Sequence, residues 1–406
     1  MRRSRSCFEP SGVRGCLCTS SSRAADPTIP SSCPRSSPPE SFWRSWKRPK
    51  PSVGNPPAGA RRILRDRPNK TEGGVEVIET TVVGSYPVPD WLVALPSEQA
   101  LLDAMAVVLK IQENAGIDVV TDGELSRFDV NHPDTNGMIE YFVRPLANVR
   151  TTITRADAET FGRDAGMAFR SRPSAIVEGA LGEGALDLPG DYGRARALTR
   201  ARLKFTLTGP HMLTKTLLDE HYRSRQDLCG ALADLLAEQV ALIDADVIQV
   251  DEANLPGHPE EADWALECIN RILNAVQTTP AVHLCFGNYG GQSIQTGSWE
   301  KLIGYLGSLH CDHVLLELAH RGNWELPRLK EIDASVRLGL GVIDVKSNVV
   351  ETPDEIAAKI EEAARVLGEE RIAFINPDCG FWMLKRSVAD RKIHALVAGR
   401  DLFAGK

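Results

Sequence analysis

Residues 280–288 read Pro-Ala-Val-His-Leu-Cys-Phe-Gly-Asn, an apolar run with a histidine and a cysteine two positions apart. In a β-strand alternate side chains leave on the same side, so His283 and Cys285 share one face and Leu284 takes the other. Such a pair either binds a metal or packs as two ordinary residues of a buried strand. Two later residues weigh toward the metal. Glu317 lies in the apolar run at 312–318, and Cys379 in Asn-Pro-Asp-Cys-Gly at 376–380. Two thiolates, one imidazole and one carboxylate make a tetrahedral donor set suited to Zn2+. The spacing is not that of paired CxxC knuckles, and a carboxylate member suits an exchangeable position better than a closed structural one. The competing reading makes Cys285 and Cys379 small core residues and Glu317 a salt-bridged acid.

These residues come from distant parts of the chain, so strands must bring them together. Eight runs have the composition of buried strands: 77–85, 117–124, 204–210, 246–252, 281–287, 312–318, 337–344 and 371–380. Most are apolar on both faces, as parallel strands covered by helices are. Between them lie helical stretches. Residues 97–116 open on the N-cap residue Ser97 and close on Gly116. Residues 224–245 carry apolar side chains at helical spacing. Residues 352–368 open on Thr-Pro with early acids and end on glycine. Shorter helices fit 260–277, 298–309, 324–332 and 387–398.

This alternation over residues 75–406 predicts an α/β fold, a (β/α)8 TIM barrel, with a doubly wound open sheet as the alternative. Residues 125–203 are too many for one βα connection and predict an insertion after the second strand, as extra strands or a lid. In a barrel the chemistry collects at the C-terminal strand ends. All eight ends carry such residues here. They are Gly84-Ser85, Asp122-Gly123-Glu124, Gly209-Pro210-His211, Asp251-Glu252, His283 with Cys285, Glu317 with His320, Asp344 with Lys346, and Asn376 to Gly380.

Composition bounds the rest. The chain has 406 residues, 42% hydrophobic and 25% charged, enough to bury a full core. The net charge of -7 divides unevenly. Residues 1–74, rich in Arg, Ser and Pro, carry roughly +10 and the remainder roughly −17. The first segment reads as a disordered tail, with a weak likeness to an organelle transit peptide. The acidic body has no basic stripe, which argues against a nucleic-acid partner. No apolar run is long enough to span a bilayer, so no membrane partner is expected. Of the nine cysteines four lie in the first segment, and the five of the body are widely spaced, which is not a secreted disulfide framework and fits a reducing, cytoplasmic setting.

An ordered set of motifs carries a resemblance. It comprises Val-Val-Gly-Ser-Tyr-Pro at 82–87, Asp-Gly-Glu at 122–124, Thr-Gly-Pro at 208–210, Gln-Val-Asp-Glu at 249–252, His-Leu-Cys at 283–285, Gly-Val-Ile-Asp-Val-Lys-Ser at 341–347 and Asn-Pro-Asp-Cys-Gly at 376–380. Together they resemble the catalytic barrel of cobalamin-independent methionine synthases and their short single-barrel relatives. The resemblance implies that His283, Cys285, Glu317 and Cys379 bind zinc, with the substrate thiol displacing Glu317. It further implies an amino-acid clamp from Gly84, Ser85, Glu124 and Asp251, with Glu252 beside it. The competing reading of Glu124 and Asp251 is an internal ion pair with nearby basic residues. Physically, a free thiol with a pKa of about 8.5 is a poor nucleophile while protonated, and zinc deprotonates it at neutral pH.

The sequence departs from the family at three places. Thr216 stands where the family usually has a pterin-stacking Trp, Lys346 where the long enzymes have a proton-donating His, and Ala253 where the family has Pro. The folate-holding N-terminal barrel of the long enzymes also has no counterpart in residues 1–74. The resemblance therefore implies methyl transfer to homocysteine from a donor left open. The alternative is an epoxyalkane:coenzyme M transferase-type reaction, in which a thiolate opens an epoxide and Lys346 or His211 protonates the alkoxide. In either case the expected partners are a small thiol and an alkyl donor.

Overall fold

The computed structural model describes residues 78–129, 136–163, 170–288 and 292–406. The tail expected over 1–74 lies outside the described residues. Eight strands form one parallel sheet: β1 (Glu79–Thr80), β2 (Val119–Val120), β3 (Arg202–Thr208), β4 (Val247–Glu252), β5 (Thr279–Leu284), β6 (His313–Leu316), β7 (Arg337–Ile343) and β8 (Ile372–Pro377). From β2 the order runs through β3 to β8 and on to β1, and a parallel bridge from Thr81 to Val119 joins the two ends. The expected TIM barrel is the fold.

The first two strands are much shorter than their apolar runs suggest. Side chains replace the missing ladder bonds. Asp118 accepts the Thr80 N–H at 2.7 Å, the Thr80 hydroxyl at 2.8 Å and the Arg400 guanidinium at 2.6 Å. This ties the seam between β1 and β2 to the last helix.

The helices follow the sequence closely. In α1 (Glu98–Ala115) the Ser97 hydroxyl accepts the Ala100 N–H, and Gly116 ends the helix at φ 86°, the left-handed region that glycine enters freely. α2 (Pro210–Thr216) follows β3 directly. α3 (Arg225–Val240) and α4 (Ala262–Ala275) pack side by side, as do α5 (Pro353–Leu367) and α6 (Arg386–Phe403). Thr352 and Glu355 form a reciprocal capping box at the start of α5. Among the described residues no helix is long and apolar enough to cross a membrane.

The insertion is mixed. Strand Ile176–Gly182 pairs antiparallel with Ala147–Arg150 and parallel with Leu218–Asp219. Within it the stretch Ile-Glu-Tyr-Phe-Val-Arg-Pro-Leu at 139–146, apolar enough for a strand, holds a short helix at Glu140–Val143. Over so few residues an apolar run does not distinguish the two. Residues 130–135 and 164–169 of the insertion lie outside the described residues.

At one end of the barrel Val119, Val247, Ala281, Ala373 and Phe374 form a small apolar cluster. Alternation along each strand then puts polar residues on the same face further up: Gln249 and Asp251 above Val247, His283 and Cys285 above Ala281. Register sets Asp251 beside His283 and His283 beside Leu315. The site residues therefore sit at one level. On β7, a Cβ added at Gly341 would stand 2.1 Å from Asp378 Oδ1 and 2.8 Å from the Leu316 carbonyl oxygen. Gly341→Ala is expected to destabilise the protein by about 1–3 kcal/mol, the usual range for overpacking, read as an earlier urea midpoint.

Candidate active site

A pocket opens at the C-terminal ends of the strands. Its wall includes Ser85, Glu124, Asp251, Glu252, His283, Cys285 and Cys379. Thus seven of the sequence-predicted residues face one space, although they come from five different strand ends.

His283, Cys285 and Cys379 form the floor. Their ligand atoms all lie within 4.8 Å of one another, and the two sulfurs are 3.7 Å apart. Among the described residues this is the one group of three or more His, Cys, Asp or Glu side chains arranged to hold a metal. Both His283 ring nitrogens are buried without a hydrogen-bond partner. An imidazole left so is costly, and buried polar groups are nearly always satisfied. A soft or borderline cation taking one nitrogen and two sulfurs would satisfy it, and zinc prefers this donor set. The Cys285 thiol, by donating to Cys379, drives the Cys379 thiol well below its ordinary range. His283 and Lys346 add to the effect against the pull of burial. The same contact and its burial raise the Cys285 thiol. One of the two sulfurs is thus predisposed to be a thiolate.

Glu317 and Lys346 stand beside this group but not in it. Lys346 Nζ donates to Glu317 Oε1 at 2.8 Å, and Glu317 Oε2 accepts the Phe286 N–H at 3.1 Å. Both side chains are sealed from solvent. The pocket wall includes neither of them.

On another side of the pocket stand two carboxylates. Glu124 has φ 57°, left-handed backbone that costs a non-glycine residue about 1–3 kcal/mol. Three contacts hold it there. Its N–H donates to Asp122 Oδ1 at 2.8 Å, the Thr206 hydroxyl donates to its carboxylate at 2.6 Å, and Arg127 pairs with it at 3.3 Å. The carboxylate lies so close to Gly84 that a Cβ there would be 2.1 Å from Oε1. Gly84 serves by having no side chain. Asp251 accepts from Gln249 Nε2 at 2.7 Å, and Gln249 Oε1 accepts from Lys204 Nζ at 2.7 Å. Burial pushes the Asp251 carboxyl up to about 7; His283 opposes this, and the Glu124 charge adds to it. Two acids that repel each other across a pocket would gain from a cation between them.

His211 is placed differently from its expected role. Its ring lies between Glu252 Oε1 at 3.3 Å and Glu261 Oε2 at 2.7 Å, stacked near Trp264, and it does not line the pocket. Glu252 also accepts the Met212 N–H. His211 thus reaches the pocket only through Glu252. Burial works against its charged form, but the two carboxylates win and lift it to about 9. An unfolded histidine titrates near 6.5, so the folded state holds the proton more tightly. The resulting stability is fully present below about pH 6.5 and is lost as pH rises through about 9. In urea titrations across that interval, the stability difference between wild type and His211→Gln should shrink steadily. A constant difference would contradict the assignment.

Sequence reasoning did not single out several groups. Arg127 orders Glu124, and Gln249 with Lys204 orders Asp251. A lysine at the start of the apolar run 204–210 was the available signal. Asp378, inside the recognised Asn-Pro-Asp-Cys-Gly, accepts the N–H groups of Leu318, Ala319 and His320 at 2.8–2.9 Å, and so locks the loop after Glu317 to the strand end bearing Cys379. Asn254, Asn288, Gln295 and Trp382 also line the pocket. Thr216 does not. It is buried, hydrogen-bonded to the Leu213 carbonyl and beside Ser174 of the insertion.

Comparison with known proteins agrees with this geometry. Residues 78–399 match the family described as "Cobalamin-independent synthase, Catalytic domain". A methionine synthase of Thermococcus kodakarensis is 31% identical over 343 residues, covering 80% of this chain and 93% of that protein. One from Sulfurisphaera tokodaii is 30% identical, over 80% and 92%. Among solved structures, a B12-independent methionine synthase from Shewanella sp. W3-18-1 in complex with selenomethionine superposes with TM-score 0.69 at 26% identity, covering 81% of this chain and 98% of that one.

Proposed function

Because this chain belongs to the cobalamin-independent synthase catalytic-domain family, we propose that it transfers a methyl group to the sulfur of homocysteine, forming methionine. The observation that carries this reading is the sharing of one pocket by the His283, Cys285 and Cys379 group and the Glu124 and Asp251 carboxylates. His283, Cys285 and Cys379 would hold zinc, with Glu317 beside them as the fourth donor the family resemblance implies. When bound there, zinc lowers the pKa of a substrate thiol and keeps its sulfur nucleophilic at neutral pH.

The chain's own residues do the rest. Glu124 and Asp251 accept charge-assisted hydrogen bonds from the substrate ammonium. Thr206, Arg127 and Gln249 fix both carboxylates before the substrate arrives, so little ordering remains to be done on binding. Ser85 bounds the same side of the pocket. The apolar wall of Val83, Met138, Met212 and Ile294 keeps water from the sulfur and from the incoming methyl carbon. The sulfur lone pair forms the new S–C bond as the bond from methyl to its carrier breaks, and the carrier leaves with that electron pair. Lys346, expected from the sequence to donate a proton, is instead paired with Glu317 beside Cys285 and Cys379 and does not line the pocket. Thr216 lies inside the protein instead of in the pocket, which removes the family's usual stacking contact for a pterin.

The test is to incubate zinc-loaded protein with homocysteine and, separately, methyl-folate or methylcobalamin. Methionine formed from at least one donor, and none without zinc, supports the reading. Homocysteine left unmethylated while coenzyme M is alkylated by epoxypropane would replace it.

A further inference from the structure

Glu252, the last residue of β4, lines the pocket and has no task in the reading above. Glu124 and Asp251 face the substrate ammonium, and His283, Cys285 and Cys379 form a group of their own. Among the described residues Glu252 is the one remaining titratable side chain on that wall. Behind it a chain of buried charged groups leads outward. His211 Nδ1 lies 3.3 Å from Glu252 Oε1, and His211 Nε2 lies 2.7 Å from Glu261 Oε2 at the start of α4. A carboxylate oxygen only accepts, so a ring set between two of them carries a hydrogen on each nitrogen. His211 and Glu252 are sealed from solvent, whereas the Glu261 side chain is 17% exposed. Lys215 of α2 donates to both Glu261 oxygens, at 3.0 and 3.1 Å, and the Met212 N–H holds Glu252 Oε2 at 3.1 Å. The three groups thus form a fixed line from the pocket toward solvent.

We propose that Glu252 is a catalytic acid that passes a proton held by His211 to the leaving nitrogen of the methyl carrier, with Glu261 as the solvent-facing end of the line. The inference rests on the methyl-transfer reading. As the sulfur takes the methyl carbon, the C–N bond breaks and its electron pair goes to nitrogen, a poor leaving group unless a proton arrives with it. The His211 Nδ1–H bond breaks as Glu252 Oε1 takes the proton. The carboxyl O–H bond breaks in turn as the carrier nitrogen takes it, and a solvent proton later restores the imidazolium. The substrate thiol gives up one proton and the carrier gains one, so the reaction consumes none overall. Burial opposes a charged His211, but the two carboxylates lift it to about 9, which keeps the proton in place at neutral pH.

Steady-state kinetics at neutral pH with two donors test this. Methyl-folate leaves through nitrogen and needs the proton, whereas methylcobalamin leaves through cobalt, which keeps the electron pair unprotonated. With methyl-folate, kcat should fall about 100-fold in Glu252→Gln and His211→Gln and about tenfold in Glu261→Gln, general acid catalysis being worth about 10²–10⁴-fold. Both KM values should stay within about threefold of wild type, because the groups act in the chemical step. The losses with methylcobalamin should be at least about tenfold smaller. Where methyl-folate alone is accepted, the split between kcat and KM decides. Thermal melts report whether each variant folds, and Glu261→Gln, at the partly exposed end, decides where His211→Gln does not. Equal losses with both donors, losses confined to KM, or a wild-type kcat in Glu261→Gln would overturn the proposal. So would a wild type that accepts methylcobalamin but not methyl-folate. Wild type that forms no methionine from either donor would overturn the methyl-transfer reading itself, a different outcome from these.

Discussion

Replacing Cys379 with alanine should remove zinc and methyl transfer together. The substitution deletes one of three donors whose ligand atoms lie within 4.8 Å, and the donor whose thiol is already driven toward its thiolate form. It leaves only the His283 imidazole and the Cys285 sulfur to hold a cation. Second-sphere substitutions around metal sites typically cost about 10–100-fold in affinity, and loss of a direct ligand should exceed that. Zinc content by mass spectrometry of the native protein and methionine formation should both fall to background. The fold should persist, because Cys379 is only partly buried and helps no strand pair. Zinc retained at one equivalent would show that the site lies elsewhere.

The second large effect is expected at Glu124. Glu124→Gln keeps the shape and the Thr206 contact but removes a charge facing the substrate ammonium. Hydrogen bonds to charged groups contribute about 1.5–3 kcal/mol, so KM for homocysteine should rise by roughly 10–150-fold. Zinc content should not change, since Glu124 is outside the His283, Cys285 and Cys379 group. Asp251→Asn should act in the same direction, with a smaller effect, because its carboxyl is already pushed up to about 7 and is partly protonated near neutral pH. A thiol without an ammonium, such as coenzyme M, should not lose affinity for Glu124→Gln. Equal losses for both thiols would mean that Glu124 shapes the pocket without reading the amino group.

Much of this was legible in the sequence because parallel strands buried on both faces leave plain apolar runs. Period-two alternation then tied His283 to Cys285, and the strand-end rule put Glu124, Asp251 and Cys379 in the same mouth. What could not be read was which polar residue pairs with which. Lys346 follows Glu317 by 29 positions, and only the curvature of the barrel sets Nζ 2.8 Å from its carboxylate. Two acids flank His211, but Glu261 closes a short 3-10 turn at the start of α4, and no spacing rule brings it to the ring. The shortness of β1 and β2 was hidden for the same reason: their apolar runs are real, but Asp118 and Arg400 supply the bonds that a longer ladder would have made.

The most direct test of the central claim is the sulfur count at bound zinc, measured by X-ray absorption at the zinc edge before and after homocysteine is added. Cys285 and Cys379 predict two sulfurs in the resting protein. A substrate sulfur joining them predicts three, with the third absent in Cys379→Ala because zinc itself is absent. Two sulfurs with and without saturating homocysteine would contradict the account, since the thiol would then be activated somewhere other than the cluster.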